Sequence, residues 1–124
     1  MNFKYTICFC RYRRQILMIY RSFPPNQHLW NGLGGKIEPG EGPRHSVTRE
    51  LREEAGLDLL KSDLRYAGIV TWSYPTGMPL IGMYAFIADY PEGSINPTSM
   101  GDRQINEGVL SWKPEEWVCD TQNL

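Results

Sequence analysis

Three glutamates recur at helical spacing near the middle of the chain. Glu50, Glu53 and Glu54 stand at positions i, i+3 and i+4, and Glu41 precedes them. At about 100° per residue, the three side chains fall within an arc of roughly 100° on one side of a helix. Like charges at these spacings repel by about 0.2–0.5 kcal/mol per pair. A divalent cation such as Mg²⁺ would offset this repulsion, because it is commonly held by carboxylates together with substrate phosphates.

A solvated acidic face is the alternative interpretation of these glutamates. Arg49 and Arg52 flank them in sequence and would then form ordinary surface ion pairs. Val47, Leu51 and Ala55 occupy the adjoining stripe of the same helix, so one side of it faces a core in either case. The spacing alone does not decide between a metal site and a solvated face.

The remaining elements are mostly strands. Pro43 suits the first position of the acidic helix and Gly56 suits the residue just past its end, which predicts a helix over 43–55. Alternation and apolar runs predict strands over 3–10, 15–21, 64–72, 80–88 and 109–112, and a second helix over 114–119. Residues 11–14, 22–28, 29–43 and 90–106 are predicted to be connections or loops. This order predicts a sheet covered by helices.

The composition is that of an ordinary globular protein. The chain has 124 residues and a mass of 14.3 kDa, with 41% hydrophobic and 22% charged residues, so we expect a single domain over residues 1–124. The net charge of −1 excludes bulk nucleic-acid binding, because that mode needs a large excess of Lys and Arg. The longest nearly apolar run, residues 78–88, is shorter than the ~20 residues of a membrane helix.

The cysteines indicate a reducing environment. Cys8, Cys10 and Cys119 do not form the even, regularly spaced set of a disulfide framework. Cys8 and Cys10 alternate on a predicted strand and face one side, either as small core residues or as half of a metal site. No secretion signal is evident near the first residues, so we expect a cytoplasmic location.

The acidic helix belongs to a longer motif. Residues 35–57 have the sequence GKIEPGEGPRHSVTRELREEAGL, which resembles the Nudix box, G-x5-E-x7-R-E-U-x-E-E-x-G-U with U a bulky apolar residue. Every defined position matches: Gly35, Glu41, Arg49, Glu50, Leu51, Glu53, Glu54, Gly56 and Leu57. At average residue frequencies, a chance match in a chain of this length is below roughly one in a million. The motif therefore favours the metal site over the solvated face.

The resemblance implies a fold and a chemistry. Nudix hydrolases are α/β (α+β) proteins, an α/β/α sandwich around a mixed sheet, and hydrolyse a nucleoside diphosphate linked to another group with Mg²⁺, or with Mn²⁺. Carried over position by position, the resemblance implies a metal site formed by Glu50, Glu53 and Glu54, with Gly35 and Glu41 beside them. It also implies that Arg49 makes an orienting ion pair and that Leu51 and Leu57 are core residues.

Three further residues are candidates for catalysis and phosphate binding. In relatives the general base is either a box glutamate or a glutamate on a later loop, and Glu107 is the candidate here, with an exposed loop charge as its alternative. Lys36 and Arg21 would meet substrate phosphates through charge-assisted hydrogen bonds or serve as surface charges.

The stretch before the box indicates a subgroup. Residues 29–41, LWNGLGGKIEPGE, resemble the MutT-like 8-oxo-dGTP diphosphatases. In that branch the Asn of the W-N-G stretch contacts the purine, and the resemblance gives this role to Asn31. The alternative is that Asn31 serves only as a turn residue. Gly34 and Trp117 are further predicted substrate contacts. Asp120 and Asn123 are weaker candidates, because the chain stops soon after the last helix begins and that helix is expected to be abbreviated.

Three functions follow as expectations. The first is Mg²⁺-dependent hydrolysis of 8-oxo-dGTP, or of a similar damaged purine nucleotide, to a nucleoside monophosphate and pyrophosphate. This activity would serve nucleotide-pool sanitation and DNA repair. The second keeps the chemistry on a dinucleoside polyphosphate, a nucleotide sugar or an RNA cap, and the third is a nucleotide-sensing domain without catalysis. The expected partner is a small nucleotide, and the expected state is a monomer or a homodimer.

Overall fold

The computed structural model describes residues 3–24, 26–73, 77, 80–93 and 96–118. In chain order its strands are β1 (Tyr5–Tyr12), β2 (Gln15–Arg21), β3 (Trp30–Asn31), β4 (Leu33–Lys36), β5 (Leu64–Trp72), β6 (Ile81–Asp89), β7 (Arg103–Ile105) and β8 (Gly108–Pro114). Helix α1 spans Pro43–Ala55, a 3₁₀ turn spans Lys61–Asp63, and helix α2 spans Glu115–Val118.

The described strands form one mixed sheet. The main path runs β5-β6-β1-β2-β8-β7, while β3 pairs with β2 and β4 pairs with β1. The β1–β6 pair is parallel and the other pairs are antiparallel. A mixed sheet with two helices confirms the predicted α+β fold class.

Helix α1 packs its apolar stripe on the sheet. Val47 and Leu51 are 1% and 0% exposed and join one core with sheet residues that include Cys8, Cys10 and Leu17. The predicted core stripe is therefore confirmed, and so is the interpretation of Cys8 and Cys10 as core residues. Burial raises the pKa of the Cys10 thiol to about 12, so it stays protonated and chemically quiet.

The ends of α1 lie where the sequence predicts them. Pro43 is the first helical residue, and Gly56 follows the last with φ 68°, a left-handed conformation that suits glycine. The Gly56 N–H donates to the Arg52 carbonyl and the Leu57 N–H donates to the Leu51 carbonyl. This ending buries Leu57, which confirms its prediction as a core residue.

Short strands replace part of two predicted loops. The glycine-rich stretch 29–43 contains β3 and β4, and the stretch 90–106 contains β7. The glycines of β4 are needed because the backbones approach closely: a Cβ on Gly34 would lie 2.1 Å from the Thr6 carbonyl oxygen of β1. In addition β1 extends to Tyr12, which shortens the predicted connection 11–14 to Arg13 and Arg14.

The second helix is described over four residues, Glu115–Val118. The predicted end of this helix at Cys119, together with Asp120 and Asn123, lies outside the described residues. None of the helices in the described part of the chain is long and apolar enough to cross a membrane.

The packing of α1 predicts a large difference between two leucines. Leu51→Ala empties a site that is 0% exposed, whereas Leu60 is 69% exposed, so the same substitution there leaves no cavity. We expect Leu51→Ala to lower the free energy of unfolding by about 2–5 kcal/mol and Leu60→Ala to lower it by less than about 1 kcal/mol. Urea denaturation followed by circular dichroism measures both, and equal losses would contradict the packing described for α1.

Candidate active site

Arg49 is the centre of a carboxylate network on α1. Its guanidinium binds Glu41 through both oxygens, with Nε–Oε2 at 2.6 Å and Nη2–Oε1 at 3.0 Å. Nη1 donates to Glu50 Oε1 at 3.0 Å and to Glu53 Oε2 at 3.2 Å. Nη2 also donates to the Lys36 carbonyl of β4 at 3.2 Å. One cation therefore links three box glutamates to the strand beside the helix.

Glu41 is the most tightly held member of this network. Its side chain is 8% exposed, and its Oε1 also accepts the Glu38 N–H at 2.9 Å. Hydrogen bonding from Arg49 is the main cause that lowers the pKa of Glu41 to about 2. Both oxygens are thus already engaged, and the structure places Glu41 as a brace for Arg49 beside the other carboxylates.

A second group of carboxylates surrounds Glu54. Burial, a hydrogen bond with Glu50 and repulsion from Glu50 and Glu107 raise the pKa of Glu54 to about 9, while Arg21 opposes the shift. Glu107 lies in the turn between β7 and β8, where its carbonyl accepts the Ser22 N–H. The structure therefore brings the predicted loop glutamate, Glu107, to the acidic face of α1.

Strand β4 lies against the same face of the helix. A Cβ on Gly35 would stand 2.8 Å from Glu50 Oε1, so a larger residue here would push the Glu50 carboxylate from its present position. Lys36 contributes its carbonyl to Arg49, while its ammonium group makes no ion pair within the described residues. Arg21, opposite Gly108 in the β2–β8 register, is close enough to Glu54 to influence its pKa.

The carboxylate oxygens at this site are the type of ligand that a hard divalent cation prefers. Glu50 and Glu107 face the partly buried Glu54, whose pKa is raised by burial first and then by these two carboxylates. A divalent cation would relieve the repulsion among them. Across the described ranges, however, no three His, Cys, Asp or Glu side chains already stand in a metal-binding arrangement. Arg49 occupies oxygens that a cation would otherwise use on Glu50 and Glu53.

Asn31 has an unsatisfied amide. Its Nδ2 is buried without a hydrogen-bond partner, and its Oδ1 lies 3.5 Å from the Asn26 Nδ2 donor. Buried amide donors are normally paired, so this group is poised for a partner that the chain does not supply. In the register Asn31 stands opposite Ile19, a core residue, which puts it on the face of the sheet that α1 covers.

Trp117 lies in an aromatic cluster on the other face. Its ring meets Trp30 edge to face at 5.7 Å, and Trp30 contacts Tyr20, its cross-strand partner, at 5.2 Å. The Lys113 ammonium lies 4.7 Å from the Trp30 ring and 5.1 Å from the Trp117 ring. Because consecutive strand residues point to opposite faces, Trp117 and Asn31 do not share one pocket here.

The sequence did not single out two residues that contact the site. Glu38 lies 3.6 Å from Arg49 Nη1, although its position in the box is undefined. Arg103 of β7 donates from Nη2 to the Glu54 carbonyl at 3.3 Å, and it belongs to a stretch predicted as loop. Neither carried a signal in the sequence, because each contact depends on the tertiary pairing of strands.

The Glu41–Arg49 pair predicts a pH-dependent contribution to stability. The folded pKa of Glu41 is about 2, below its ordinary value of 4.5, so the contribution is fully present above pH 4.5 and is lost as the pH falls toward 2. We expect Glu41→Gln to lower the free energy of unfolding by about 2 kcal/mol at pH 7 and by much less at pH 3. Urea unfolding of both proteins at the two pH values measures this, and a loss independent of pH would argue against the pair.

Comparisons with known proteins agree with this geometry. The NUDIX domain matches residues 3–121. The uncharacterized Nudix hydrolase YvcI of Bacillus subtilis is 31% identical over 122 residues, which span 96% of this chain and 68% of YvcI. The NAD-capped RNA hydrolase NudC of Vibrio atlanticus is 38% identical over 69 residues, which span 56% of this chain and only 23% of NudC.

A solved structure extends the agreement to three dimensions. The MutT protein from Bacillus halodurans superposes with a TM-score of 0.69 at 27% identity, covering 92% of this chain and 69% of that protein. The box, the mixed sheet and the matched domain lead to one conclusion: the chain belongs to the Nudix family and is a hydrolase that acts on phosphoric anhydride bonds.

Proposed function

We propose that this Nudix hydrolase cleaves a purine nucleoside triphosphate, 8-oxo-dGTP or a similar damaged nucleotide, to a nucleoside monophosphate and pyrophosphate. The observation that carries the proposal is that Glu54 shares a hydrogen bond with Glu50 on α1 and is close enough to Glu107 of the β7–β8 turn for their charges to interact. Such a place favours a divalent cation and, through it, a polyphosphate. Nudix hydrolases generally use divalent metals such as Mg²⁺, and Mg²⁺, with Mn²⁺ as a substitute, is our proposed cofactor.

We propose different roles for the glutamates of the Nudix box. Glu50, Glu53 and Glu54 hold the cation beside the Gly35 backbone, and Glu41 keeps Arg49 in place through its two hydrogen bonds. A cation held there would supply positive charge to the phosphates and would lower the pKa of an attacking water. Arg49 restrains Glu50 and Glu53, because its guanidinium donates a hydrogen bond to each carboxylate.

Proton transfer and phosphate binding involve residues at the rim. A carboxylate must take the proton of the attacking water, and we assign this part to a box glutamate or to Glu107, which faces Glu54 from the β7–β8 turn. Arg21 is proposed to contact the phosphates through charge-assisted hydrogen bonds, because it is close enough to Glu54 to influence its pKa. Lys36 stays a predicted phosphate contact: its neighbour Gly35 faces Glu50, so the Lys36 side chain leaves β4 on the opposite face.

The purine preference rests on Asn31. Its buried, unpaired Nδ2 and its carbonyl oxygen offer a donor and an acceptor to a base edge, and it shares the sheet face of α1. Gly34 keeps this part of β4 close to β1. The structure gives no support to Trp117 as a base contact, because Trp117 packs on Trp30 on the sheet face opposite Asn31. That role stays a prediction. We also propose a cytoplasmic location, where the thiols of Cys8 and Cys10 stay reduced.

An RNA cap is the second candidate substrate. NudC, similar over part of its length, is named for hydrolysis of NAD-capped RNA, and the same carboxylates would serve any nucleoside diphosphate linked to another group. A sensing domain without catalysis is disfavoured by the complete set of box glutamates. Turnover separates these possibilities.

Purified enzyme supplied with Mg²⁺ should release pyrophosphate, and no orthophosphate, from 8-oxo-dGTP at least tenfold faster, in kcat/KM, than from dGTP. Glu53→Gln keeps the shape of the side chain and removes its charge, so we expect kcat to fall about 10²–10⁴-fold, the range for loss of a carboxylate that acts in the chemical step. Ion chromatography of the products measures both results.

Glu92→Gln is the matched control, because Glu92 bonds Tyr12 and Arg13 away from α1. Equal rates for 8-oxo-dGTP and dGTP would remove the sanitation role while leaving the chemistry intact. Absence of pyrophosphate from every nucleoside triphosphate, with turnover of NAD-capped RNA, would replace the leading function with the second candidate. Ligand binding with no turnover of any substrate would indicate a sensor.

A further inference from the structure

A second concave surface lies at the first turn of α1. A cavity of about 580 Å³ opens between this turn, the 3₁₀ turn and the hairpin of β5 and β6. Three aromatic rings and three basic side chains line it: Tyr66, Tyr84 and Phe86, with Arg44, His45 and Lys61. Its volume is within the range of small-molecule sites, about 300–1,000 Å³.

The cavity is separate from the carboxylate site. Strands β5 and β6 lie on one side of β1 in the sheet, whereas β2, β8 and β7, which bring Arg21 and Glu107 to Glu54, lie on the other. Along α1, Arg44 precedes Glu50 by six residues, a rise of about 9 Å. The two sites therefore flank the same helix on different sides.

The aromatic rings form one wall. Tyr66 stands directly opposite Phe86 in the β5–β6 register, and their rings meet edge to face at 5.7 Å. Tyr84 precedes Phe86 by two residues and so points to the same face. Phe86 is buried, but Tyr66 is 52% exposed, which leaves a ring of the edge strand free to stack on a flat ligand. Stacking on an aromatic side chain is the sequence-tolerant way in which proteins hold nucleobases.

The basic side chains form the opposite wall. The Arg44 guanidinium lies 5.4 Å from the Phe86 ring, and its Nη1 donates to the Lys61 and Leu64 carbonyls. These two bonds hold the Arg44 guanidinium in place and leave its Nε and Nη2 without a partner in the described part of the chain. The Lys61 ammonium likewise has no partner there. His45 reaches Glu41 at 3.6 Å. Because no acidic side chain lines the cavity within the described residues, an anionic group would be favoured there.

We propose that this cavity binds a nucleotide unit, with the base stacked on Tyr66 and the phosphate held by Lys61 and Arg44. This second nucleotide site goes beyond the proposed function, because the nucleotide bound there is not the one that is hydrolysed. A free nucleoside monophosphate and a nucleotide within an RNA chain present the same base and phosphate. The chemistry of the cavity suits either source.

The test is a calorimetric titration of the enzyme in EDTA with GMP, and with guanosine and ribose 5-phosphate as its two halves. We expect GMP to bind at least tenfold more tightly than either half, because each half contacts one wall only. Tyr66→Leu and Lys61→Gln should each weaken GMP binding by tenfold or more, while Tyr66→Phe, which keeps the ring, should preserve it. Lys61→Gln should leave kcat for the hydrolysed nucleotide unchanged.

Asn31→Ala is the control for binding at the catalytic site and should leave GMP affinity unchanged. Loss of GMP binding in Asn31→Ala with full binding in Tyr66→Leu would overturn the proposal, as would absence of binding at millimolar GMP. A comparison of GMP with the dinucleotide pGpG distinguishes the sources: tighter binding of pGpG indicates an RNA chain, and equal binding indicates the free nucleotide. Pyrophosphate release from the unmodified enzyme is measured separately, so failure of the cavity leaves the proposed function testable.

Discussion

Mutual repulsion among carboxylates is the constraint on which the rest of this structure depends. Four glutamates of one motif are crowded along α1 and the loop before it, and a fifth, Glu107, approaches from the β7–β8 turn. Arg49 is the positive charge that makes this crowding tolerable, because a single guanidinium binds Glu41, Glu50 and Glu53 together. The side chains of Arg49, Glu41 and Glu50 are 16%, 8% and 15% exposed, so the bonds to Glu41 and Glu50 are little weakened by water. The bond to Glu53, which is 61% exposed, is more open to solvent.

The network divides the glutamates into two groups with different chemical states. Glu41, bound through both oxygens, is ionised even in acid, since its pKa is about 2. Glu54 is the opposite case: burial and its neighbours raise its pKa to about 9, so it carries a proton at neutral pH. Identical residue types thus differ in pKa because one is held by a guanidinium and the other is buried among carboxylates. The near-zero net charge of the chain conceals this local separation.

The sequence predicted the site more fully than it predicted the strands around it. The Nudix box named Arg49 and the three glutamates to which it donates hydrogen bonds, Glu41, Glu50 and Glu53, because helical spacing and a motif with fixed residue types are local properties. It did not name Glu38, which also lies near Arg49. The bounds of α1 followed from Pro43 and Gly56 for the same reason. The position of Glu107 was proposed from the motif's relatives, and its approach to Glu54 depends on the pairing of β8 with β2, which spacing does not encode.

The sequence could not predict the contacts that depend on how the strands pair in three dimensions. The glycine-rich sequence favoured a loop, although in β4 Gly34 allows close backbone packing on β1 and Gly35 lies against Glu50. Arg103 and Glu38 carried no pattern. Trp117 and Asn31 were predicted to contact one base, but strand alternation assigns them to opposite faces of the sheet, because β3 contributes Trp30 to one face and Asn31 to the other.

The central proposal is that Glu54, together with Glu50 and Glu107 beside it, forms a place that a divalent cation would neutralise. Calorimetric titration of the metal-free protein with MgCl₂ tests it most directly, using Glu54→Gln and Glu107→Gln as variants and Glu92→Gln as the control. We expect the unmodified protein and the control to bind Mg²⁺ with the same affinity, and each of the other two variants to bind at least tenfold more weakly. Equal Mg²⁺ affinity in all four proteins would contradict the account.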